Sequence, residues 1–578
     1  MENPMAYHKP TNLATGAVPQ QIPPAMGNPT TYYGTANFAA GAVPQQMPTA
    51  YVKPKNAFKP DISDFVFALA AFVLGYLFSS WILFTNSGWG VSAFTTLYLL
   101  AVTAYLMKKG VFVSSGAAAW FWFAVTWVTG VSYALWQNES TSQYRLMFLF
   151  CTAVYYVIVA SGREIMGKTG NYLLIDGINA VIILPFRNFL NQYVSFGALG
   201  KGSKRTGKTL SIVIGVVIAV ILAALLTPLL RSADSGGFGK ILDFFAEMFT
   251  IKFETLFKII VYIVFAVPVA AYLYGLVSGA AHRKGTDIIK PDSVKKTVAE
   301  LRFFQPTTLF IALGAVCALY IVFIISQLPY FFSAFTGQRP AGWLIYSTYA
   351  RQGFFELCGI AAINLIIISV SNLTCKKHRK DSRLLKAFNI VLAIITLVLI
   401  TTAFSKMALY IGAYGLTMPR LLPCVFMAFI ATVFIALLAL QKWDFSIVRV
   451  ALVIGSVMLC ALFISNPDAL VVRYNTGRYL SGSLQEYDPD ILYRAGSAGV
   501  LPAIEVYSKT SDARIREKVA QYLELQSDYL KRDSWWLGRG VNEISLESQR
   551  ARKAITAHNL FRAENSYPSY AKFNFVPE

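Results

Sequence analysis

Six charged residues that lie beside long apolar stretches are the first candidates for chemistry. Arg339, Arg351 and Glu356 fall within residues 327–370, where one apolar run ends, a charged aromatic loop follows and another run begins. The other three candidates are Lys406, Arg420 and Arg473. Of these, Lys406 and Arg420 are the expected partners of Glu356, because the predicted topology places them on the same side of the membrane. Ionisable groups at that depth are costly unless they pair, reach the interface or face water, and Arg forks suit phosphate or carboxylate. The set predicts a polar site for an anionic group. The competing interpretation is a row of interface anchors, whose stems cover apolar surface while their charges stay wet.

Residues 202–209 match the spacing of a nucleotide-binding phosphate loop. In such a loop the glycines let backbone amides surround phosphate, Lys208 would supply charge, and the hydroxyl of Thr209 would bind magnesium. A true phosphate loop follows a buried strand and opens a soluble helix, whereas this segment opens an apolar run of membrane-spanning length. We therefore interpret its basic residues as a topology signal and expect no nucleotide site.

Other catalytic chemistry has few candidates. The sequence has no HExxH zinc motif and no GxSxG nucleophile elbow. Its histidines are His8, His282, His378 and His558. Five cysteines lie within apolar runs and Cys375 lies at the end of one, so neither a disulfide framework nor a zinc site is expected. We expect no cofactor and no metal.

The composition is that of a membrane protein. Hydrophobic residues make up 55% of the 578 residues and charged residues 14%, which is too apolar for a soluble chain of this length. The net charge of +21 is concentrated in short loops between apolar runs, where Lys and Arg act as topology signals. The expected partner is therefore the lipid bilayer and not nucleic acid.

About eleven apolar runs approach the roughly 20 residues needed to cross a hydrocarbon core. Each must be a helix, because lipid offers nothing to satisfy an unpaired backbone. Their approximate limits are 65–84, 89–106, 116–136, 145–161, 209–230, 259–279, 307–328, 352–372, 387–405, 419–440 and 448–465. The expected fold is all-α: a polytopic transmembrane helical bundle over residues 61–465, with a disordered segment before it and a small helical extramembrane domain after it.

Lys and Arg separate the linkers between these runs into two alternating sets. The basic set comprises 108–109, 162–208, 280–306 and 376–386 and should be cytoplasmic. With eleven spans the N-terminus is then cytoplasmic and the C-terminal tail external. Residues 172–196 could change this parity, but their apolar run is short and contains Asp176 and Arg187. That pattern favours an interfacial or re-entrant helix over a span.

Two further segments are expected to lie outside the bilayer core. Residues 1–60 are rich in Pro and Gln, contain two copies of a Pro/Gln octapeptide and lack apolar periodicity, so we expect them to be disordered. Residues 240–258 alternate charged positions with a phenylalanine-rich face. This pattern predicts an amphipathic helix that lies on the membrane or packs across the top of the bundle.

The tail, residues 466–578, is expected to fold as a small helical domain. Residues 512–530 place an apolar stripe on one helical face, with Ser511 as the expected N-cap. The stripe consists of Ile515, Val519, Tyr522, Leu523 and Leu530. Gly496 and Gly499 break the chain before the next helix. An interaction module that binds a protein partner is the natural interpretation of such a domain.

Four ordered stretches resemble a known family. They are YSTYARQGFFELCGIAAINL at 346–365, LYIGAYGLTMPRL at 409–421, NPDALVVRYNTGRYL at 466–480 and LESQRARKAI near the end. Together they resemble the bacterial membrane family called domain of unknown function 4173, which is related to family 4153. The resemblance covers most of the chain after about residue 60. It implies a bacterial plasma-membrane protein without an assigned activity and supplies no catalytic residues.

Three functions remain open at this point. The first is a non-enzymatic sensor, assembly or interaction protein, favoured by the helical tail and the absence of a catalytic constellation in the sequence. The second is a transporter of a small solute that uses polar groups within the spans, such as Asn364 or Lys406. The third is a membrane enzyme that acts on an anionic lipid-linked substrate through the candidate charged residues.

Overall fold

The computed structural model describes residues 58–84, 88–113, 116–199, 253–283, 291–335, 346–531 and 544–558, with a few single residues between them. Within these ranges the regular structure is helical, apart from one isolated bridge between Phe304 and Cys375. The predicted all-α fold class is confirmed. The predicted disordered N-terminus, the 209–230 run, the phosphate-loop match and most of the predicted amphipathic helix lie outside the described residues.

The helices follow the apolar pattern of the sequence. The first group is α1 (Ile62–Phe78, continued by a π-helical turn at Ser79–Leu83), α2 (Trp89–Lys108), α3 (Ala117–Leu135), α4 (Ser142–Ala160), α5 (Leu173–Ile178), α6 (Leu184–Arg187), α7 (Asn191–Leu199), α8 (Phe253–Ala281) and α9 (Pro291–Glu300). The second group is α10 (Pro306–Phe335), α11 (Tyr346–Thr374), α12 (Arg383–Tyr414), α13 (Met418–Leu440) and α14 (Ile447–Ile464). The last group is α15 (Pro467–Leu480), α16 (Asp490–Ala495), α17 (Val500–Lys509), α18 (Ala513–Lys531) and α19 (Leu546–Ala557).

Ten of the described helices are long and apolar enough to cross a membrane. They are α1 to α4, α8 and α10 to α14, and they correspond to ten of the eleven predicted runs. Among the described residues the number becomes eleven if the bent pair formed by α5 to α7 is one span. The chain therefore has the architecture of a multi-pass helical membrane protein.

The membrane helices pack into two bundles with separate apolar cores. The first core comes from α1 to α4, α8 and the segment that leads into α6, and the second comes from α10 to α13. Helix α14 packs against both α13 and α3, so it joins the two bundles. Small residues allow close packing inside the first bundle: a Cβ added at Gly75 of α1 would lie 2.5 Å from the carbonyl oxygen of Ala266 on α8, a backbone approach that is typical of membrane helices.

Polar contacts between loops identify one common end of the membrane helices. The Nζ atom of Lys109, after α2, lies 2.8 Å from a carboxylate oxygen of Asp61, before α1. The loop after α11 contacts the loop after α13, because Lys380 lies 2.9 Å from Asp444. Arg449 Nε donates to the carbonyl of Thr169, in the loop after α4, at 2.8 Å. We call this end, which carries the predicted basic linkers, the basic end.

The opposite end carries the C-terminal helices. In the turn between α12 and α13, the backbone N–H of Leu416 donates to Asn475 Oδ1 of α15 at 2.7 Å. The backbone N–H of Trp89, at the start of α2, donates to the carbonyl of Ile544 at 3.0 Å. We call this end the junction end. The two sets of linkers that the charge pattern separates thus lie at opposite ends of the helices.

Helices α5 to α7 form a bent segment at the position where the sequence predicts an interfacial or re-entrant helix. The bend between its two halves is 41°. Asp176 accepts a hydrogen bond from the backbone of Ile165 at 2.8 Å, next to the basic end. At the other side of the bend, the ring of Phe196 packs 5.8 Å from that of Phe65, in the first turn of α1. Both ends of the segment lie toward the basic end, which favours the re-entrant alternative over a span.

Helices α15 to α19 share a third apolar core. The predicted stripe on α18 is buried in it, with Val519 and Tyr522 fully enclosed. The prediction of Ser511 as the N-cap is wrong by one residue. Asp512 directly precedes the helix, and its carboxylate accepts the backbone N–H groups of Arg514 at 2.9 Å and Ile515 at 3.3 Å, the bonds that an N-cap makes.

Candidate functional site

The described candidate residues from the sequence gather toward the junction end. At 1.5 Å per residue, Glu356 lies roughly 27 Å along α11 from the basic end. Lys406 lies in the last third of α12, Arg420 in the first turn of α13 and Arg473 on α15. Arg351 lies about one and a half turns before Glu356 on α11, where only the backbone is described, and Arg339 lies outside the described residues.

Glu356 and Lys406 interact across the packed pair α11 and α12. Lys406 is 8% exposed, whereas Glu356 lies on the exposed face of its helix. The Glu356 carboxylate interacts favourably with the Lys406 ammonium. The two helices are antiparallel, so residues distant in sequence meet here. Lys406 is one of the two partners that sequence reasoning offers for Glu356.

Arg420, the other partner offered for Glu356, bonds to the end of the preceding helix. Its Nη1 atom donates to the carbonyl of Tyr414 at 3.0 Å and to that of Gly415 at 2.5 Å. Its guanidinium carbon lies 4.0 Å from the ring centre of Tyr410. Arg420 thus satisfies the last carbonyls of α12, as basic side chains do at helix C-termini. Arg473 is exposed on α15.

Asn364, which the sequence suggests as a polar group of a transporter, is buried in the packing between helices. Its side chain is fully enclosed. It accepts from the hydroxyl of Tyr320 at 2.7 Å and donates to Thr396 Oγ1 at 2.9 Å. These bonds join α10, α11 and α12, and hydrogen bonds of this kind hold membrane helices together.

A second polar cluster, which sequence reasoning missed, lies at the junction end. It connects the turn between α3 and α4 with α15 and α19, and we call it the junction cluster. Its members are Gln137, Asn138, Glu139, Arg145, Asn466, Asp468 and Glu547. Two of them, Asn138 and Asn466, adopt the left-handed backbone conformation with φ of 45° and 53°, which Asn tolerates better than most residues.

Arg145 is the buried cation of the junction cluster and is 1% exposed. Its guanidinium donates to three backbone carbonyls, the shortest bond being 2.6 Å to Gln137. It also lies 3.6 Å from the ring centre of Tyr133. These contacts fix the turn between α3 and α4 against the start of α4. They also supply the polar partners that a buried charge requires.

Two carboxylates from beyond the last span complete the junction cluster. Asp468 accepts from the backbone N–H of Ser140 at 3.2 Å. Glu547 accepts from the backbone N–H of Gln137 at 3.1 Å and from the side-chain amide of Asn466. Burial raises the pKa of both carboxyl groups, since enclosure disfavours the charged form. The turn of the first bundle is thus bonded directly to α15 and α19.

A third polar cluster lies at the basic end. Asp64 of α1 is fully enclosed and accepts from the hydroxyl of Tyr105 at 2.5 Å and from Lys109 Nζ at 2.9 Å. His282 Nε2, just after α8, lies 2.8 Å from the same carboxylate. These contacts tie α1, α2 and α8 together. The sequence offers Lys109 as a topology signal, and the structure adds a pairing role.

An apolar cleft of about 810 Å³ opens between the two bundles at the junction end. Its walls come from α4, α11, α13 and α14. Glu356 follows the lining residue Phe355 directly, and Arg420 lies two residues before the lining residue Leu422. In the described part of the chain, no group of three or more His, Cys, Asp and Glu residues is placed to hold a metal ion.

Sequence signals for the missed residues are weak. Arg145 stands at the start of an apolar run, where an Arg is usually an interface anchor. Asp468 and Glu547 lie in a tail of mixed charge and are separated from Arg145 by more than half the chain. Of these three residues, Arg145 has the clearest sequence signal, because it is a charged residue at the edge of a span.

Comparison with known proteins identifies a family. The family model described as a domain of unknown function, DUF4153, matches residues 123–506. No curated protein and no solved structure is significantly similar to the chain. The matched region contains the second bundle, all the described candidate residues, and Arg145 and Asp468 of the junction cluster. The four stretches of sequence resemble family 4173, which is related to family 4153. The family model that matches is that of the related family, 4153. Because the match covers more than half of the chain, the protein belongs to the DUF4153 family.

Proposed function

We propose that this protein is a non-enzymatic assembly or sensor protein of the bacterial plasma membrane, which uses residues 466–578 to bind a protein partner. The observation that carries the proposal is the junction cluster. A helical region that follows the last span is bonded to the turn between α3 and α4 through Asp468 and Glu547, and Arg145 holds that turn in place, so the orientation of the region is set by the membrane helices. A surface that binds a partner must be held in a fixed position, and these hydrogen bonds hold it.

Exposed apolar side chains on the C-terminal helices support a binding role. Leu501 on α17 is 50% exposed and Leu525 on α18 is 52% exposed. Tyr507, which lies on the same helix as Leu501, is also exposed. Aromatic and large apolar residues are enriched in the cores of protein interfaces. The basic linkers lie at the opposite end, and the positive-inside rule then assigns the junction end to the external side and the N-terminus to the cytoplasm.

Photo-crosslinking in cells tests this function. We expect a photoreactive amino acid at Leu501 or at Leu525 to capture one and the same protein, identified by mass spectrometry. Glu517 and Lys518, exposed polar positions of α18, serve as matched controls and should capture none. Capture of different proteins from the two test positions, or equal capture from the control positions, would contradict the proposal.

A membrane enzyme that acts on an anionic lipid-linked substrate is the second candidate. The observation that favours it is the apolar cleft, whose lining residues Phe355 and Leu422 are close in sequence to Glu356 and Arg420. Transport of a small solute has less support, because the buried amide of Asn364 is hydrogen-bonded to Tyr320 and Thr396 of the neighbouring helices. An extract-based assay that shows turnover of a lipid-linked substrate, lost in Glu356→Gln, would favour the enzyme over the assembly protein.

A further inference from the structure

We propose that the apolar cleft at the junction end binds the acyl chains of an anionic phospholipid from the adjacent leaflet of the bilayer. The cleft lies between the two bundles and is bounded by α4, α11, α13 and α14. Its volume of about 810 Å³ falls in the range of about 300–1,000 Å³ that is typical of ligand pockets. This proposal is independent of partner binding by the C-terminal helices.

The depth of the cleft fits one leaflet. Along α4 and the residue that precedes it, the lining runs from Thr141 to Cys151, which is roughly 15 Å at 1.5 Å per residue. On α14 it runs from Phe463 back to Gly455, roughly 12 Å by the same rise. A hydrocarbon core is about 30 Å thick. The cleft therefore begins at the junction end and stops near the middle of the bilayer, as a site for the acyl chains of one leaflet would.

The lining has the polarity of a lipid site. Nearly all of its surface is apolar, and the hydroxyls of Thr141 and Tyr144 lie at the junction end. Tyr144 is 64% exposed and Met147 is 69% exposed among the described residues. The surroundings of these span residues are hydrocarbon, so the molecule that has access to the cleft is a lipid. Tyr at the interface and Met below it suit the boundary between headgroup and chain.

The charge at the mouth of the cleft favours an anionic headgroup. Arg420 lies two residues before Leu422, at the level where a headgroup would lie. Its described contacts are with two carbonyl oxygens and the ring of Tyr410, none of which carries a negative charge. An Arg guanidinium offers donors in a geometry that matches phosphate. A lipid phosphate beside α13 would provide the opposite charge.

The first test uses the unaltered chain in nanodiscs that contain phosphatidylglycerol with a photoreactive group on one acyl chain, together with phosphatidylcholine. After irradiation, cross-linked peptides are mapped by mass spectrometry. We expect cross-links to concentrate on lining residues such as Met147, Phe426 and Met458, above the level at Leu69, a lipid-facing residue of α1 that is 53% exposed. Uniform labelling would overturn the proposal, because it would mean annular lipid only. In a parallel experiment with a photoreactive amino acid in place of Met458, a cross-link to another segment or to a second copy would also overturn it.

The second test measures the lipid that stays with the purified protein. We expect detergent-purified protein to retain phosphatidylglycerol and the variants Met458→Trp and Met147→Trp, which fill the cleft, to retain roughly tenfold less. Met147 is exposed, so its replacement does not disturb a packed core. The matched control Leu69→Trp should retain as much as the parent. Equal retention in the cleft variants and the control, or no retained lipid in the parent, would refute the site. Arg420→Gln should shift the retained lipid toward phosphatidylcholine, and an unchanged ratio would remove the headgroup assignment.

Discussion

At the scale of single residues, the charged side chains of this protein differ in the groups that they contact. Lys406 is buried and interacts with Glu356, Arg145 is buried against backbone carbonyls, and Arg420 bonds to the end of a helix. The burial of Lys406 and Arg145 has an energetic consequence. Removing the partner of a buried charge costs more than removing an exposed pair, because the remaining charge stays desolvated.

The Glu356–Lys406 interaction can be tested by a double-mutant cycle. We expect Glu356→Gln to lower the free energy of unfolding by about 1 kcal/mol, because Lys406 loses its counter-charge while Glu356 itself is screened by its exposure. Lys406→Gln in that background should cost little more, since the shared interaction is already lost. The measurement is thermal unfolding of the detergent-purified single and double mutants.

Glu505→Gln is the control for this cycle. Glu505 and Lys509 form an exposed pair one turn apart on α17, at 2.8 Å, and such pairs contribute little. A loss in Glu505→Gln as large as that in Glu356→Gln, or additive losses in the cycle, would show that Lys406 does not depend on Glu356.

At the scale of elements, the turns at the junction end determine how the helices meet. The turn between α12 and α13 is closed by Asn475 of α15, which accepts from the N–H of Leu416 at 2.7 Å and donates to its carbonyl at 2.6 Å. Gly415 in this turn has a φ of 78°, a conformation that side chains disfavour. A Cβ at Gly415 would also overlap the side-chain oxygen of Asn475. One glycine therefore links the second bundle to the C-terminal helices.

Two glycine substitutions compare this position with a glycine that has open space around it. Gly482, after α15, has a φ of 74° and no atom within 4 Å of an added Cβ. We expect Gly482→Ala to cost about 1 kcal/mol, the strain of the left-handed conformation. Gly415→Ala should cost at least twice as much, since its φ of 78° and ψ of 178° are tolerated essentially by glycine alone and Asn475 must also move. Thermal unfolding of both variants gives the comparison, and equal losses would show that the Asn475 contact does not stabilise the fold.

At the scale of the whole molecule, the described loops divide between two ends. The loops after α11 and α13 meet through Arg379, Lys380 and Asp444 at the basic end. The C-terminal helices contact the turns that begin α2, α4 and α13 at the junction end. Three spans, α12 to α14, lie between the loop after α11 and the C-terminal helices. An odd number of spans requires opposite sides of a membrane.

Cysteine accessibility in intact cells checks this arrangement. We expect Lys377→Cys and Lys442→Cys, both at the basic end, to react with an impermeant maleimide only after the membrane is permeabilised, because the proposed orientation puts this end in the cytoplasm. Glu517→Cys, exposed on α18, should react from the opposite side. The reactive positions are all exposed, so the difference reports sidedness and not burial. Labelling of positions 377 and 517 from the same side would contradict the arrangement of α12 to α14.

The sequence by itself determined the fold class, the ten described spans and the buried stripe of α18. These features are local, because the length of an apolar run and the spacing of its residues can be read within one segment. The charge pattern also separated the two sets of linkers, since each linker carries its own Lys and Arg. The N-cap of α18 was misplaced by one residue, as two adjacent residues of capping type compete there.

Only the tertiary structure decided which residues form the candidate sites. The turn that Arg145 holds is bonded to Asp468 and Glu547 across hundreds of residues of chain, and the cleft needs four helices from both bundles. Arg420 looked like a partner for Glu356 but bonds to the end of α12, because the tight turn before α13 brings those carbonyls close to it. Contacts of this kind depend on helix packing and on which helices are neighbours. A pattern within one segment carries no information about either.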